Sequence, residues 1–150
     1  MDGNELWKRK QTITADNNLD LVLCSAVNLP VKYWRPNFFF IGMRDEETFR
    51  LTNGRFPAKL VPKKSHPVFA LHSIADNTAF RVCPCSTKKP FYRGRHKFIK
   101  SGCKLKITNR VMDKTSYLVS KIKFPVGGEN ALRLRFYGEV PDSCLGVLKK

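Results

Sequence analysis

Acidic side chains are scarce in this sequence, and its middle contains none at all. The chain has 28 Lys and Arg against 12 Asp and Glu, which gives a formal net charge of +16. The 36 residues from Asn77 to Met112 contain ten of the basic residues and no acidic one. An excess of this size indicates an anionic partner, and nucleic acid, an anionic membrane surface and an acidic protein all qualify.

Long apolar runs are also missing. No stretch approaches the roughly 18 apolar residues that span a membrane, and the segment from Met1 to Asp20 is polar and of mixed charge. The sequence therefore predicts neither a membrane segment nor a secretory signal. A cytoplasmic protein with reduced thiols is the simplest interpretation.

The five cysteines lack the spacing of a metal site. Cys83 and Cys85 form a C-x-C pair, whereas zinc sites usually contain pairs separated by two to four residues. No cysteine lies in a recognisable catalytic context. We therefore predict no metal and no other cofactor.

The composition predicts one folded domain over residues 1–150, with a polar N-terminal arm over about residues 1–18. A chain of 150 residues that is 42% hydrophobic is large enough to bury a core. The segment Leu19–Leu29 is apolar and fits either a strand or a short buried helix. Beyond it, six or seven short β-prone runs predict a mostly β protein, a small antiparallel barrel with one or two short helices.

These strand predictions depend on apolar runs and on alternation of apolar and polar residues. Asp76-Asn77 predicts a hairpin turn, and Pro141 predicts a final helical turn. The predicted strands are Asn37–Met43, Phe49–Thr52, Pro67–Ile74, Ala79–Cys83, Lys104–Thr108, Tyr117–Phe124 and Leu132–Tyr137.

The basic middle segment mixes cations with aromatic residues, and this pattern favours nucleic acid. Lysine and arginine neutralise phosphates, and aromatic rings stack on unpaired bases. The alternatives are a solvated loop with ordinary lysines, and a strand whose aromatic residues belong to the core. The predicted contact residues are Lys63, Lys64, Arg81, Lys88, Lys89, Tyr92, Arg93, Arg95, His96, Lys97 and Lys100.

Three further residues have side chains that can take part in phosphate chemistry. Ser86 and Thr87 follow a predicted strand and directly precede the cationic run that starts at Lys88. Their hydroxyls fit contacts with a phosphate, or they satisfy backbone groups of a turn. His66 precedes an apolar strand, where it fits either a general acid or base or a solvated side chain.

The order of these features resembles the MazF/PemK family of toxin endoribonucleases. A His66-Pro67 dipeptide opens an apolar strand, and the next strand ends in Pro84-Cys85-Ser86-Thr87. In the family an Arg-Pro dipeptide precedes a strand, and the following strand ends in Pro-x-(Ser/Thr)-(Ser/Thr). The resemblance continues to a strand ending at Gly138–Pro141 and covers roughly residues 65–148.

The resemblance implies an SH3-like barrel, a homodimer and metal-independent cleavage of single-stranded RNA, with an acidic antitoxin as the protein partner. Ser86 and Thr87 fall on the family's catalytic hydroxyl position. His66 falls where the family has a catalytic arginine, so Lys63, Lys64 or Arg81 would have to supply the permanent charge. The competing functions are a non-catalytic nucleic-acid-binding domain and an interaction domain for an acidic protein.

Overall fold

The fold comes from a computed structural model, which describes residues 28–56, 64–76, 78–89 and 94–149. The predicted arm over residues 1–18 and most of the apolar segment 19–29 lie outside the described residues.

A single antiparallel sheet of eight strands forms most of the described structure. The strands pair in the order β7-β1-β2-β3-β5-β4-β8, and β6 pairs with β3 beside β5. The sheet curls into a half-barrel, so the predicted mostly β, antiparallel fold is confirmed. The strands are β1 (Phe38–Arg44), β2 (Ser65–Ile74), β3 (Ala79–Ser86), β4 (Arg95–Ile99), β5 (Ser116–Leu118), β6 (Phe124–Gly127), β7 (Arg135–Glu139) and β8 (Leu145–Lys149).

Two short helices lie at the ends of strands. Helix α1 (Asp45–Leu51) follows β1 directly, and helix α2 (Gly128–Leu132) joins β6 to β7. The strand predicted at Phe49–Thr52 is therefore wrong. Asp45, Thr48 and Thr52 are buried at spacings of three and four residues, which is the period of a helix and places them on one face.

Both faces of the central strands are buried, and alternation along each strand divides the core in two. In β1, Phe38 and Phe40 belong to the first core, whereas Phe39 belongs to the second. In β3, Val82 faces the first core and Cys83 faces the second. The continuous apolar run of the predicted strand at residues 37–43 reflects this burial on both sides.

The hairpin of β2 and β3 agrees with the sequence, but three later predictions were wrong in detail. The predicted strand Tyr117–Phe124 is two strands, β5 and β6, separated by a turn in which Ile122 N donates to Val119 O. The segment Lys104–Thr108 makes isolated bridges in place of a strand, because the chain reverses at Ile107, whose φ is 76°.

The predicted strand Leu132–Tyr137 begins later, since Leu132 ends α2. The helical turn predicted after Pro141 is present as a single 3-10 turn, Asp142–Cys144, and the chain then continues as β8, which pairs with β4.

Cys103 and Cys144 form a disulfide, with their Cα atoms 5.8 Å apart. The prediction of reduced thiols is wrong for this pair, because it was based on the number of cysteines and not on which of them the fold brings together. Cys83 and Cys85 are free and buried. In the described part of the chain, no helix is both long enough and apolar enough to cross a membrane.

Candidate nucleic-acid interface

Side chains from neighbouring strands line up across one face of the sheet. Ser86 of β3 pairs with Tyr117 of β5, and Tyr117 pairs with Phe98 of β4. Directly opposite residues of antiparallel strands project to the same side of the sheet. Ser86, Tyr117 and Phe98 therefore share one face.

His66 extends this line into β2. Val68 and Pro84 are the last paired residues of β2 and β3, and continuing their register by two residues sets His66 opposite Ser86. His66 also pairs with Met43, which belongs to the same core as Val68. We call His66, Ser86, Tyr117 and Phe98 the cross-strand row. It spans three strand spacings, about 14 Å in total.

The two aromatic rings of the row are half-buried and in contact. The ring centroids of Phe98 and Tyr117 are 5.9 Å apart, with an angle of 53° between the ring planes. Gly146 of β8 lies opposite Phe98, and a Cβ atom at this position would collide with the phenyl ring. The ring therefore lies across the backbone of β8, and only glycine leaves room for it.

Three exposed lysines flank the row at one end of the sheet. Because β2 runs opposite to β3 and β4, Lys64 before β2 and Lys88 and Lys100 after β3 and β4 all lie towards this end. Each is two residues from the row residue of its own strand, and each is exposed. We call these three the row lysines. Thr87 and Lys89, also exposed, are in the turn that follows β3.

A buried carboxylate holds His66. The His66 Nδ1 atom lies 2.6 Å from Asp45 Oδ1, and the side chains are 25% and 3% exposed respectively. The ring of Phe56 meets the imidazole edge-on, with the centroids 5.2 Å apart. An Nδ1–H that donates to a carboxylate leaves Nε2 of a neutral imidazole as an acceptor. In the described part of the chain, Nε2 makes no hydrogen bond.

The hydroxyl of Ser86 has a local partner. Ser86 Oγ accepts a hydrogen bond from the backbone N of Lys88 at 3.1 Å. This contact closes the turn after β3, as expected if the hydroxyl satisfies a backbone group of that turn. The hydroxyl hydrogen is still available to donate to a phosphate oxygen.

The structure divides the other predicted contact residues between several places. Arg81 alternates with Val82 in β3 and faces the side of Cys83, five residues from Ser86 and about 16 Å along the strand. Arg95 and Lys97 alternate with Phe98 in β4 and project from the opposite face. These three cations do not meet the cross-strand row.

His96 is a correction. Its side chain is fully buried, so it cannot contact a nucleic acid at the surface. His96 lies between Arg95 and Lys97 in the sequence, but its position in β4 places its side chain in the protein interior. Lys63, Tyr92 and Arg93 lie outside the described residues.

The free cysteines do not add chemistry to the site. Burial raises the pKa of the Cys85 thiol, and the neighbouring Cys83 raises it further. A protonated thiol is a poor nucleophile. Among the described residues, no cluster of three His, Cys, Asp or Glu side chains is suited to hold a metal ion.

Comparison with known proteins finds no match for this chain among protein-family models, curated proteins or solved structures.

Three residues of the site, Asp45, Phe98 and Tyr117, were not among the residues predicted from the sequence. Asp45 is 21 positions before His66, and no local pattern connects them. Tyr117 was assigned to a strand without a functional role, because the face on which it lies depends on pairing with β3 and β4. An acidic residue buried at the start of a short helix becomes recognisable only when its partner is known.

Proposed function

We propose that the protein binds single-stranded nucleic acid, with RNA as the expected ligand, along the cross-strand row. The contact between Phe98 and Tyr117 on the sheet face carries this proposal. Aromatic side chains on a sheet are a common platform for unpaired bases, and each stacked base contributes about 1–3 kcal/mol.

The charge around the row supports the same ligand. The row lysines and Lys89 are exposed at one end of the sheet, where a phosphate backbone beside the stacked bases would pass. A single strand is favoured over a duplex because stacking on a protein ring requires an unpaired base. RNA is favoured over DNA by the resemblance to the toxin endoribonucleases.

The experiment is a fluorescence-anisotropy titration of a mixed-sequence RNA oligonucleotide with the full chain. We expect the Phe98→Ala/Tyr117→Ala variant to bind at least about tenfold more weakly, since it removes two stacking surfaces. The control is Phe49→Ala, which removes an aromatic ring of α1 that is 46% exposed and outside the row.

Affinity within twofold of the unaltered protein in a folded double variant would show that the aromatic pair is not the platform. Equal losses in the double variant and in Phe49→Ala would point to a general effect of lost aromatic surface.

The contact between His66 and Asp45 favours a second function, cleavage of the bound RNA. A base held by a third group is the usual arrangement of general acid–base catalysis. His66 Nε2 would take the proton of a ribose 2′-OH as that oxygen attacks the adjacent phosphorus. The bond from phosphorus to the 5′ oxygen then breaks, and this oxygen takes up a proton.

The remaining groups around His66 suit the charge that develops on the phosphate. Lys64 is two residues away and brings a cationic side chain, and Ser86 and Thr87 carry hydroxyl donors at the same end of the sheet. Lys64 thus takes the place of the family's arginine in this proposal. Arg81 is unsuited because it projects from the other face.

Incubation of the protein with single-stranded RNA in EDTA tests this function. We expect fragments with 2′,3′-cyclic phosphate ends, and a loss of about 10²–10⁴ in rate for His66→Ala, the usual contribution of a general base. His72→Ala is the matched control, because His72 is an exposed histidine of the same strand. Intact RNA would rule out cleavage, and equal cleavage by the His66→Ala variant would rule out His66 as the general base; both results leave the binding proposal in place.

The remaining predictions about partners and location derive from the resemblance and from composition. A homodimer and an acidic antitoxin stay proposals, as does the alternative that the basic surface binds an acidic protein without nucleic acid. Competition between RNA and an acidic peptide for the cross-strand row distinguishes binding of nucleic acid from binding of an acidic protein. The cytoplasmic location also stays a prediction, and a disulfide such as that of Cys103 and Cys144 is more common in oxidising compartments.

A further inference from the structure

A cleft of about 560 Å³ lies between the end of β1 and the junction of α2 and β7. Met43 and Leu134 line it with apolar surface and are almost completely buried, at 3% and 1% exposure. None of its lining residues belongs to the cross-strand row. Its volume falls within the range of about 300–1,000 Å³ that is typical of small-molecule sites.

An irregularity in β1 lies beside the cleft. Pairing with β7 ends at Ile41 and Arg135, and the register of β1 against β2 shifts between Phe40 and Met43. Gly42 lies within this bulge at a φ of +91°, a conformation that favours glycine. Bulges of this kind are frequent beside functional sites, because they redirect the side chains that follow them.

Three polar side chains of the cleft have no partner among the residues that the structure describes. Arg44 and Arg133 are exposed, and neither makes an ion pair or a side-chain hydrogen bond with any described residue. The same is true of the Asn130 amide among the residues that the structure describes. The acidic side chain of the cleft, Glu47, is already neutralised by Arg50, whose Nη2 lies 2.5 Å from Glu47 Oε2.

We propose that this cleft binds a small organic anion, with its phosphate or carboxylate group held by Arg44 and Arg133. Guanidinium groups bind such oxygens in a bidentate manner, and two of them can hold one anionic group from two sides. The Asn130 amide would hydrogen-bond the body of the ligand, and Met43 and Leu134 would contact its apolar part. The site is independent of the nucleic-acid proposal.

An NMR titration of the ¹⁵N-labelled full chain tests the site with four probes: inorganic phosphate, adenosine 5′-monophosphate, uncharged adenosine and succinate. We expect saturable shifts of the Gly42, Arg44 and Asn130 amides with at least one organic anion, and none with adenosine. Saturation by the nucleotide identifies a phosphate ligand, and saturation by succinate identifies a carboxylate ligand.

Two variants separate the cleft from general surface charge. Arg44→Gln/Arg133→Gln is expected to weaken binding at least about tenfold, because it removes the charge-assisted hydrogen bonds. The matched control Arg135→Gln/Lys123→Gln removes two exposed charges outside the cleft and is expected to bind within twofold of the unaltered protein. If the first variant does not fold, Asn130→Asp places a carboxylate in the cleft and is expected to weaken binding as well.

The proposal is overturned if none of the three anions saturates these amides below about 10 mM. It is equally overturned if adenosine binds as well as its monophosphate, or if the cleft variants and the control variant lose affinity to the same extent.

Discussion

At the scale of single residues, burial decides which side chains are available for chemistry. His66 and His96 both lie close to lysines in the sequence. In the structure, however, His66 is partly exposed next to Asp45, whereas His96 is fully buried. The thiols of Cys83 and Cys85 are also buried. Residue type therefore identifies candidate functional residues, and the fold determines which of them are exposed.

The buried thiol of Cys85 predicts a pH dependence of stability. Its pKa is raised in the folded protein, so the unfolded chain loses the thiol proton first as pH rises above about 8.5. The contribution to stability is complete below that pH and is lost above it. Relative to Cys85→Ala, the unaltered protein is expected to lose unfolding free energy between pH 8 and pH 10, because the unfolded thiol releases its proton before the folded one.

Urea unfolding at several pH values measures this difference. A constant difference between the two proteins across this range would show that the folded thiol ionises as readily as the unfolded one.

At the scale of structural elements, β3 organises the site. Its first half pairs with β6, its last two residues pair with β5, and Ala79–Pro84 pair with β2 on the other side. The sequence predicted the β2–β3 hairpin correctly because both strands are apolar and a turn separates them. The sequence could not predict that β5 and β4 add to the far end of β3, since those pairings join distant segments.

The disulfide is the covalent link between the C-terminal turn and the segment that follows β4. It closes a loop with a sequence separation of 41 residues. A loop of this length predicts a stabilisation of about 4 kcal/mol through restriction of the unfolded chain. The Cys103→Ser/Cys144→Ser variant is therefore expected to unfold at a clearly lower urea concentration.

A reducing agent provides the internal control. It is expected to lower the midpoint of the unaltered protein to that of the double variant and to leave the variant unchanged. If the reducing agent does not change the urea midpoint of the unaltered protein, the disulfide is not stabilising.

At the scale of the whole molecule, the positive charge is divided between two faces of the sheet. The row lysines lie at one end of the proposed interface, whereas Arg81, Arg95 and Lys97 project from the opposite side. Total charge therefore overstates the number of phosphate contacts. A ligand on the row meets only part of the +16 charge.

The salt dependence of nucleic-acid binding measures how many of these charges contact the ligand. Each phosphate contact with a single strand contributes about −0.7 to the slope of log K against log salt. Substitution of the three row lysines by Gln is expected to reduce the slope by about 2. The charge-matched variant Arg81→Gln/Arg95→Gln/Lys97→Gln is expected to leave it nearly unchanged, and the reverse result would place the ligand on the other face.

The sequence by itself determined the charge asymmetry, the antiparallel β character and the hairpin that carries His66 and Ser86. These features follow from local composition and from alternation with a period of two, which fixes the side chains that share a face within one strand. Only the tertiary structure decided the register between distant strands, the Asp45 partner of His66, the burial of His96 and the cysteine pair that forms the disulfide. Each of these depends on contacts between segments far apart in the chain, and such contacts are set by packing of the two cores and not by any local pattern.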